Sequence, residues 1–426
     1  MADFGSEGIA DLYRRPGSVS SAYVDVTQDA RNPRRTSTLR QRTLREALTE
    51  AGAPEIDAST IIELVEEPPG VGGPMGRLMV VRQGVVEVNE VLTGEPLGEL
   101  LVSYGPVPSL LPLLIHRPRD FSYVVAEAGR DGGEITLFRL SRSQPVARVR
   151  VEGDTEFLTK VGSEDDFLAN GRYQHHTEEV WKRNESQIAA AIDEVVRDSR
   201  AELLMLTGDV RARQLLVDQL SPTSREVLQV VPTNTRPGGA TQEELEADLH
   251  RHVAAILAQD EYDALERLGT GQGNGLSEID FAAVVRALQQ SQVDVLLLAP
   301  DRLPGETLIA LDREPWLAAS SDDALGAGEL GPVPAVDALI RAAILTDARV
   351  MVVSPGELPA ETSAAALLRW STLPAPAEAP TPAEAELADL PSRGDAVTFP
   401  RRRASSGASD TGPDGSPESG PDRPER

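Results

Sequence analysis

The sequence predicts an α/β protein of three modules followed by a disordered polar tail. Three observations carry this. Short β-type runs alternate with 3.6-periodic helical patterns through most of the chain. The composition turns to Pro, Gly and polar residues at Asn234–Ala240, as a linker does, and a further boundary falls near Arg117–Asp120, after the proline-spaced segment Val102–Ile115. From Leu373 onward it is dominated by Pro, Ala, Ser, Gly and acids. The expected division is 1–118, 119–235, 236–372 and a disordered acidic tail over 373–426.

The chain has 426 residues, enough for two or three domains. It contains no cysteine, which excludes disulfides, zinc-thiolate sites and thiol catalysis. No run of about 18 apolar residues is present. The first residues, MADFGSEGIADLYRR, lack a charged segment followed by an apolar one. These features predict a cytoplasmic protein with no membrane contact. The net charge of −27 argues against a generic nucleic-acid binder and against DNA. Any RNA contact must come from local basic patches.

Residues 1–18 read as a loosely held lead-in, followed by a short strand over Ser21–Val26. Arg31 to Arg45 holds six arginines and no acid. From Thr36 to Ala51 the pattern is helical, with Leu44, Ala47, Leu48 and Ala51 as the buried stripe and Arg35, Arg42 and Arg45 on the opposite side. A solvated helix face explains such a run in most chains. In one this acidic, RNA contact through Arg31, Arg34, Arg35, Arg42 and Arg45 carries equal weight. Ile56–Glu66 reads as a second helix. Arg77–Gln83 and Val85–Val91 read as a hairpin across Gly84. Val102–Ile115 is an extended segment entering a short apolar helix.

In the central module, strands are expected at Tyr123–Ala128, Glu134–Leu140 and Ala147–Val151. A polar loop and a long helix starting near Gly171 come next. Trp181, Ile188, Ile192 and Val195, spaced seven, four and three, give that helix one apolar face. The basic and imidazole groups Arg172, His175, His176, Lys182 and Arg183 crowd its loop end, so it reads as a mobile loop on a rigid, basic-ended helix anchored by its second half. Ala201–Thr207, a helix over Val210–Leu220 and Val227–Val231 complete the module.

Thr241-Gln-Glu-Glu244 is a capping box that starts a helix over Gln242–Gln259. Gly269–Gly275 follows an acidic helix, not a strand, so it reads as a flexible connection and not a phosphate loop. A helix over Glu278–Gln290, strand Val293–Ala299, helix Val336–Thr346, strand Arg349–Val353 and the run Ala364–Trp370 close the third module. Neither His175-His176 nor His250 and His252 have the same-face spacing or the further ligands a metal needs, so no metal or cofactor is expected. Arg401–Arg403 is an incidental basic island in the tail.

The order strand, strand, strand, loop, helix, strand, helix, strand, together with GRYQHHTEEVWKRN, resembles the central domain of the archaeal and eukaryotic release factor and Pelota superfamily. The segments around VDVLLLAPDRL, ALIRAAILTDARVMVVS and LLRW are similar to its C-terminal αβα domain, and VPSLLPLLI to a proline-spaced segment of its bacterial members. The resemblance covers about Phe121 to Trp370. It implies a ribosome-binding translation factor acting on rRNA in the A site. In that family a loop carrying Gly-Gly-Gln precedes the basic helix and places the attacking water. This chain has no Gly-Gly-Gln. Asp166-Phe167-Leu168 occupies its place, or Asn170 stands for the glutamine when the loop is aligned to the rescue-type Gly-Gly-Trp-Ser-Gln.

A shorter Asn170 and the charges of Asp165 and Asp166 both argue against hydrolysis. Asn170 equally suits a helix N-cap, and that role outweighs a catalytic one. No catalytic residue is therefore assigned. The degenerate loop implies a non-hydrolytic hibernation or stress factor, as in members of the Balon type, with elongation factor Tu as a partner. The alternatives are a peptidyl-tRNA hydrolase releasing nascent chains in ribosome rescue, and an acidic stress protein that binds a protein partner and no RNA.

Overall fold

The computed structural model describes residues 6–27, 33–68, 73–98, 100–129, 132–140, 144–152, 169–231, 242–359 and 361–371, and gives no side-chain description for 6–7, 33–36, 169–183 and 242–243. They belong to one compact unit, Met1–Leu373. The expectations for the loop before Ala169, the linker Asn234–Ala240, Arg31, the tail and its Arg401–Arg403 island lie outside the described residues. The fold is α/β throughout.

The first module contains α1 (Ser6–Arg14), β1 (Val19–Asp25), α2 (Pro33–Glu50), α3 (Glu55–Glu66), β2 (Met75–Arg82), β3 (Val85–Thr93), β4 (Leu100–Gly105) and α4 (Leu111–His116). Its sheet runs β3-β2-β1-β4, antiparallel throughout. The strand period of two assigns alternate residues to two cores. Ala22, Val24, Met79 and Val81 meet Leu44 and Leu48 of α2 and Ile61 of α3. Val19, Tyr23, Leu78 and Val80 face a second core shared with α1 and the third module. The β2–β3 turn needs positive φ at Gln83 (52°) and Gly84 (78°). Asp57 of α3 holds this turn, accepting from Gly84 N at 2.7 Å and from Ser20 Oγ at 2.8 Å.

The lead-in expectation is corrected here: residues 6–14 are a helix, with Ile9, Leu12 and Tyr13 buried. Their i, i+3, i+4 spacing lays one face against α10 (Ala335–Leu345) of the third module. A single short stripe does not reveal so distant a partner.

The central module contains β5 (Ser122–Gly129), β6 (Gly132–Arg139), β7 (Ala147–Glu152), α5 (Ala169–Ser199), β8 (Leu203–Gly208), α6 (Val210–Val217), α7 (Pro222–Glu226) and β9 (Leu228–Val230). The sheet runs β7-β6-β5-β8-β9, with β5, β8 and β9 parallel. Val124, Ala126, Leu204 and Leu206 pack under Ile188, Ala189, Ile192 and Val196 of α5. The opposite face, with Tyr123, Leu203 and Met205, is covered by α8 (Gln242–Gly271).

Helix α8 serves two cores. Leu245, Leu249, Val253, Ile256 and Leu257 lie on the central sheet. Ala264, Leu265 and Leu268 lie on Val295, Leu297, Met351, Ala365 and Leu367 of the third module. At 1.5 Å per residue the helix is about 45 Å long, enough to span both. It continues well past Gln259, and Gly269–Gly275 is not a loose connection as read from composition. The helix runs to Gly271, and Ser277 Oγ then donates to Leu268 O at 2.9 Å. Burial of Leu268 and this bond keep the glycine-rich stretch ordered.

The third module adds β10 (Ser277–Glu278), α9 (Phe281–Gln289), β11 (Val293–Leu298), β12 (Thr307–Leu311), β13 (Leu317–Ala318), β14 (Glu329–Pro334), α10, β15 (Arg349–Val352) and β16 (Ala364–Leu368). One sheet runs β10-β16-β11-β15, with β11 and β15 parallel. A second, small sheet runs β13-β12-β14 and has no counterpart in the sequence reading. Strand β13 has only two residues, and Gly331, Pro332 and Pro334 obscure the strand character of β14.

Candidate functional site

The candidate site is built on α5, which begins at Ala169, two residues before the expected Gly171. Asn170 is its second residue and so lies inside the first turn, not at the N-cap. Arg172, His175, His176, Lys182 and Arg183 are all carried by its first fifteen residues, 169–183. That stretch is about 22 Å of helix.

From Asn184 onward the helix is held firmly. Asn184, Glu185, Ile188, Ala189, Ile192 and Val196 are buried. Asp193 adds a polar tie, accepting from Ser221 Oγ at 2.9 Å and from Ser221 N at 3.1 and 3.2 Å, where Ser221 caps α7.

Glu185 is the residue sequence reasoning passed over. It is only 2% exposed, and among the described residues its Oε2 has no donor. Burial, and secondarily the charge of Asp209, push its carboxyl up to about 7. Its signal was present in the sequence: it stands four residues after Trp181 and three before Ile188, on the apolar face. Asp209 follows the carboxyl end of β8 and caps α6, accepting from Arg211 N at 3.0 Å and Ala212 N at 3.3 Å. The preceding Gly208 has φ +113°, and an added Cβ would collide with the Ala128 backbone. This corner therefore fixes the carboxyl ends of β5 and β8 against α5. A carboxyl so enclosed can hold a proton near neutrality but is closed to a substrate.

The second candidate element is α2. Pro33 opens the helix, as proline suits the first turn. Arg34 and Arg35 lie at its positive end, where cations are unfavourable, so helix stability does not account for them. Arg42 and Arg45 are exposed, opposite the fully buried Leu44 and Leu48. Each has an acidic neighbour: Arg42 Nε is 2.8 Å from Glu46, and Arg45 Nη1 is 2.6 Å from Glu55. These are exposed pairs of small net value, and a phosphate can replace either acid.

The structure does not bring α2 and α5 into one described cluster. His250 is exposed and His252 half-buried on α8, while His116 lies 2.8 Å from the Tyr23 hydroxyl. Among the described residues no group of His, Asp or Glu has the arrangement of a metal site. No helix among them is long and apolar enough to cross a membrane.

Residues 122–274 match the family model "Bacterial archaeo-eukaryotic release factor family 2". The match begins at β5 and ends just past α8, so it takes in both helices that cover the central sheet. Two curated relatives from Mycobacterium tuberculosis strains, "Uncharacterized protein Rv2629" and "Uncharacterized protein MT2704", are each 24% identical over 334 residues, 76% of this chain and 85% of theirs. Among solved structures, "Model of ribosome-bound archaeal Pelota and ABCE1" aligns over 87% of this chain and 96% of that one at 15% identity, with a TM-score of 0.36. Dom34 of S. cerevisiae, described as a translation termination-like factor, aligns over 71% of this chain and 81% of its own at 12% identity and a TM-score of 0.33.

Proposed function

We infer the function from one premise: through its central region this chain belongs to the archaeo-eukaryotic release factor and Pelota superfamily, among its bacterial members. It is a release-factor-like translation factor. We propose that it binds the ribosomal A site in the cytoplasm as a non-hydrolytic hibernation or stress factor, with elongation factor Tu as a candidate partner.

The observation that carries the proposal is the absence of Gly-Gly-Gln from a chain whose residues 122–274 match a release-factor family. Without paired glycines the backbone loses the conformations that permit close approach to an ester. Asn170 carries one methylene less than glutamine, and Asp165 and Asp166 set negative charge where phosphates crowd. Release-factor chemistry rests on positioning, so these changes remove its basis. The basic loop end of α5 and the arginines of α2 would then supply affinity for rRNA without chemistry.

The test pairs two measurements. Purified protein is expected to co-sediment with ribosomes at low salt and to leave labelled peptidyl-tRNA intact in single-turnover release assays. Release at the rate of a true release factor overturns the non-hydrolytic reading and favours ribosome rescue. Absence from the ribosomal pellet at low salt overturns the ribosome-binding reading and favours a protein partner.

A further inference from the structure

The small sheet of the third module ends in a loop that presents two leucines to solvent. Leu325 is 80% exposed and Leu330 41%. Each is turned outward by an irregularity of the backbone. Leu325 follows the 3₁₀ turn Ser321–Ala324 and takes the left-handed conformation, with φ +51°. Glycine reaches that conformation freely and leucine does not. Leu330 is the extra residue of a β-bulge: Ala310 pairs with Gly331 and Leu311 with Glu329, so Leu330 has no partner across β12.

The loop between them is held in place. Asp312 N donates to Gly328 O at 2.9 Å, and Asp312 Oδ1 accepts from Gly328 N at 2.8 Å. Ala327 N donates to Ala324 O at 2.9 Å, and Arg313 donates to Gly326 O. Ala324 is buried with Leu311 and Ala318, and Ala327 packs against them. This small core is closed without Leu325, whose strained backbone and exposed side chain therefore do nothing for the fold. Strain kept where the fold does not use it marks a functional position.

The surroundings of the two leucines are acidic. Asp312, Glu314, Asp322, Asp323 and Glu329 are exposed there, with Arg313 as the one base between Asp312 and Leu330. Such a collar repels phosphate, and it suits a protein surface that carries cations. We propose that Leu325 and Leu330 dock into an apolar pocket edged by Lys and Arg on a protein of the ribosome. The contact rests on the ribosome-binding reading above and gives the third module a protein-facing surface, distinct from the RNA-facing arginines of α2.

Co-sedimentation of the full chain with ribosomes across a salt series tests this. Asparagine tolerates the left-handed conformation and carries no apolar group, so Leu325→Asn keeps the turn and removes the knob. It is expected to weaken association about tenfold, with melting temperature and salt slope unchanged. Should that variant melt early, Leu325→Gly, which relieves the backbone, takes its place. Asp322→Asn with Glu329→Gln is expected to weaken association about threefold, because the collar attracts a basic partner. A phosphate neighbour reverses that sign.

Pelleting of a folded Leu325 variant equal to that of the wild type overturns the proposal. So does unchanged or tighter association of the collar variant. A dimer in analytical ultracentrifugation that Leu325→Asn dissolves also overturns it, since a second copy then takes the knob. Absence of the wild type from the pellet at low salt overturns the ribosome-binding reading and this contact with it.

Discussion

Arg119 and Asp260 are 141 positions apart in the chain, yet Nη1 of the first lies 2.5 Å from Oδ2 of the second. Arg119 stands on the connector just before β5, and Asp260 near the middle of α8. The pair joins the entry of the central sheet to the one helix that serves two cores, and Glu202 at the start of β8 takes the other arm of the guanidinium at 2.7 Å. Replacing Arg119 with Ala leaves two partly buried carboxylates short of a cation. A loss of about 1–2 kcal/mol is expected in denaturant unfolding. Faster proteolysis within Arg117–Phe121 should accompany it. An unchanged midpoint together with an unchanged cleavage rate argues that the pair is ornamental to the fold.

Gly208 is expected to tolerate no side chain. Its φ of +113° and the closeness of the Ala128 backbone oppose a Cβ on two separate grounds. Gly208→Ala should destabilise by about 3 kcal/mol or more, combining backbone strain with displacement of β5. Gly305, at φ +79° with no atom near its Cβ position, is the control, and alanine there should cost about 1 kcal/mol. Comparable losses at both sites would refute the part assigned to crowding.

Glu185 and Asp337 are both pushed up to about 7, in each case chiefly by burial. Their uncharged forms suit the folded state. Each contribution is therefore complete below the ordinary carboxylate value and is lost as pH rises through about 7. Stability, followed by the melting temperature, should fall as pH rises from about 4.5 to about 7 and level off above that, by an amount on the order of 2 kcal/mol per group. Glu185→Gln should flatten part of this slope and raise stability at the alkaline end. A wild-type profile that is level across the range contradicts the assignment.

Tyr13 is 4% exposed, and its hydroxyl has no hydrogen-bond partner among the described residues. It is enclosed with Asp337 and Arg341 of α10. Removing a buried, unpaired hydroxyl while keeping the ring is expected to be neutral or to stabilise by up to about 1 kcal/mol. Thermal unfolding of Tyr13→Phe checks this, and a loss above that size would reveal a bond the hydroxyl makes.

Arg42 and Arg45 allow binding and stability to be separated. Their ion pairs are exposed, with side-chain exposures of 77% and 47% for the arginines, so Arg42→Ser with Arg45→Ser should cost less than about 1 kcal/mol in stability. If they meet rRNA, the same change should lower the salt slope of ribosome co-sedimentation by about two units. Unaltered pelleting in a stable double variant makes them a solvated face.

Much of the secondary structure follows from the sequence because periodicity is a local property. Helix α5 buries one apolar face, which the spacing of Ile188 and Ile192 records, whereas β5 and β8 are buried on both faces and stand out as apolar runs between turn signals. The lack of Gly-Gly-Gln and the outward direction of Arg42 and Arg45 are equally legible from residue identity and helical phase. The pattern does not record what covers each face. Only the tertiary structure matched α1 to α10, divided α8 between two sheets, and brought Arg119, Glu202, Asp260 and Arg349 to one point. It also decided the state of Glu185. A carboxylate in an apolar stripe is visible in the sequence, but its displacement to about 7 arises from the desolvation and the Asp209 charge that packing imposes. Burial and charge neighbourhood are properties of the assembled chain, and no local pattern contains them.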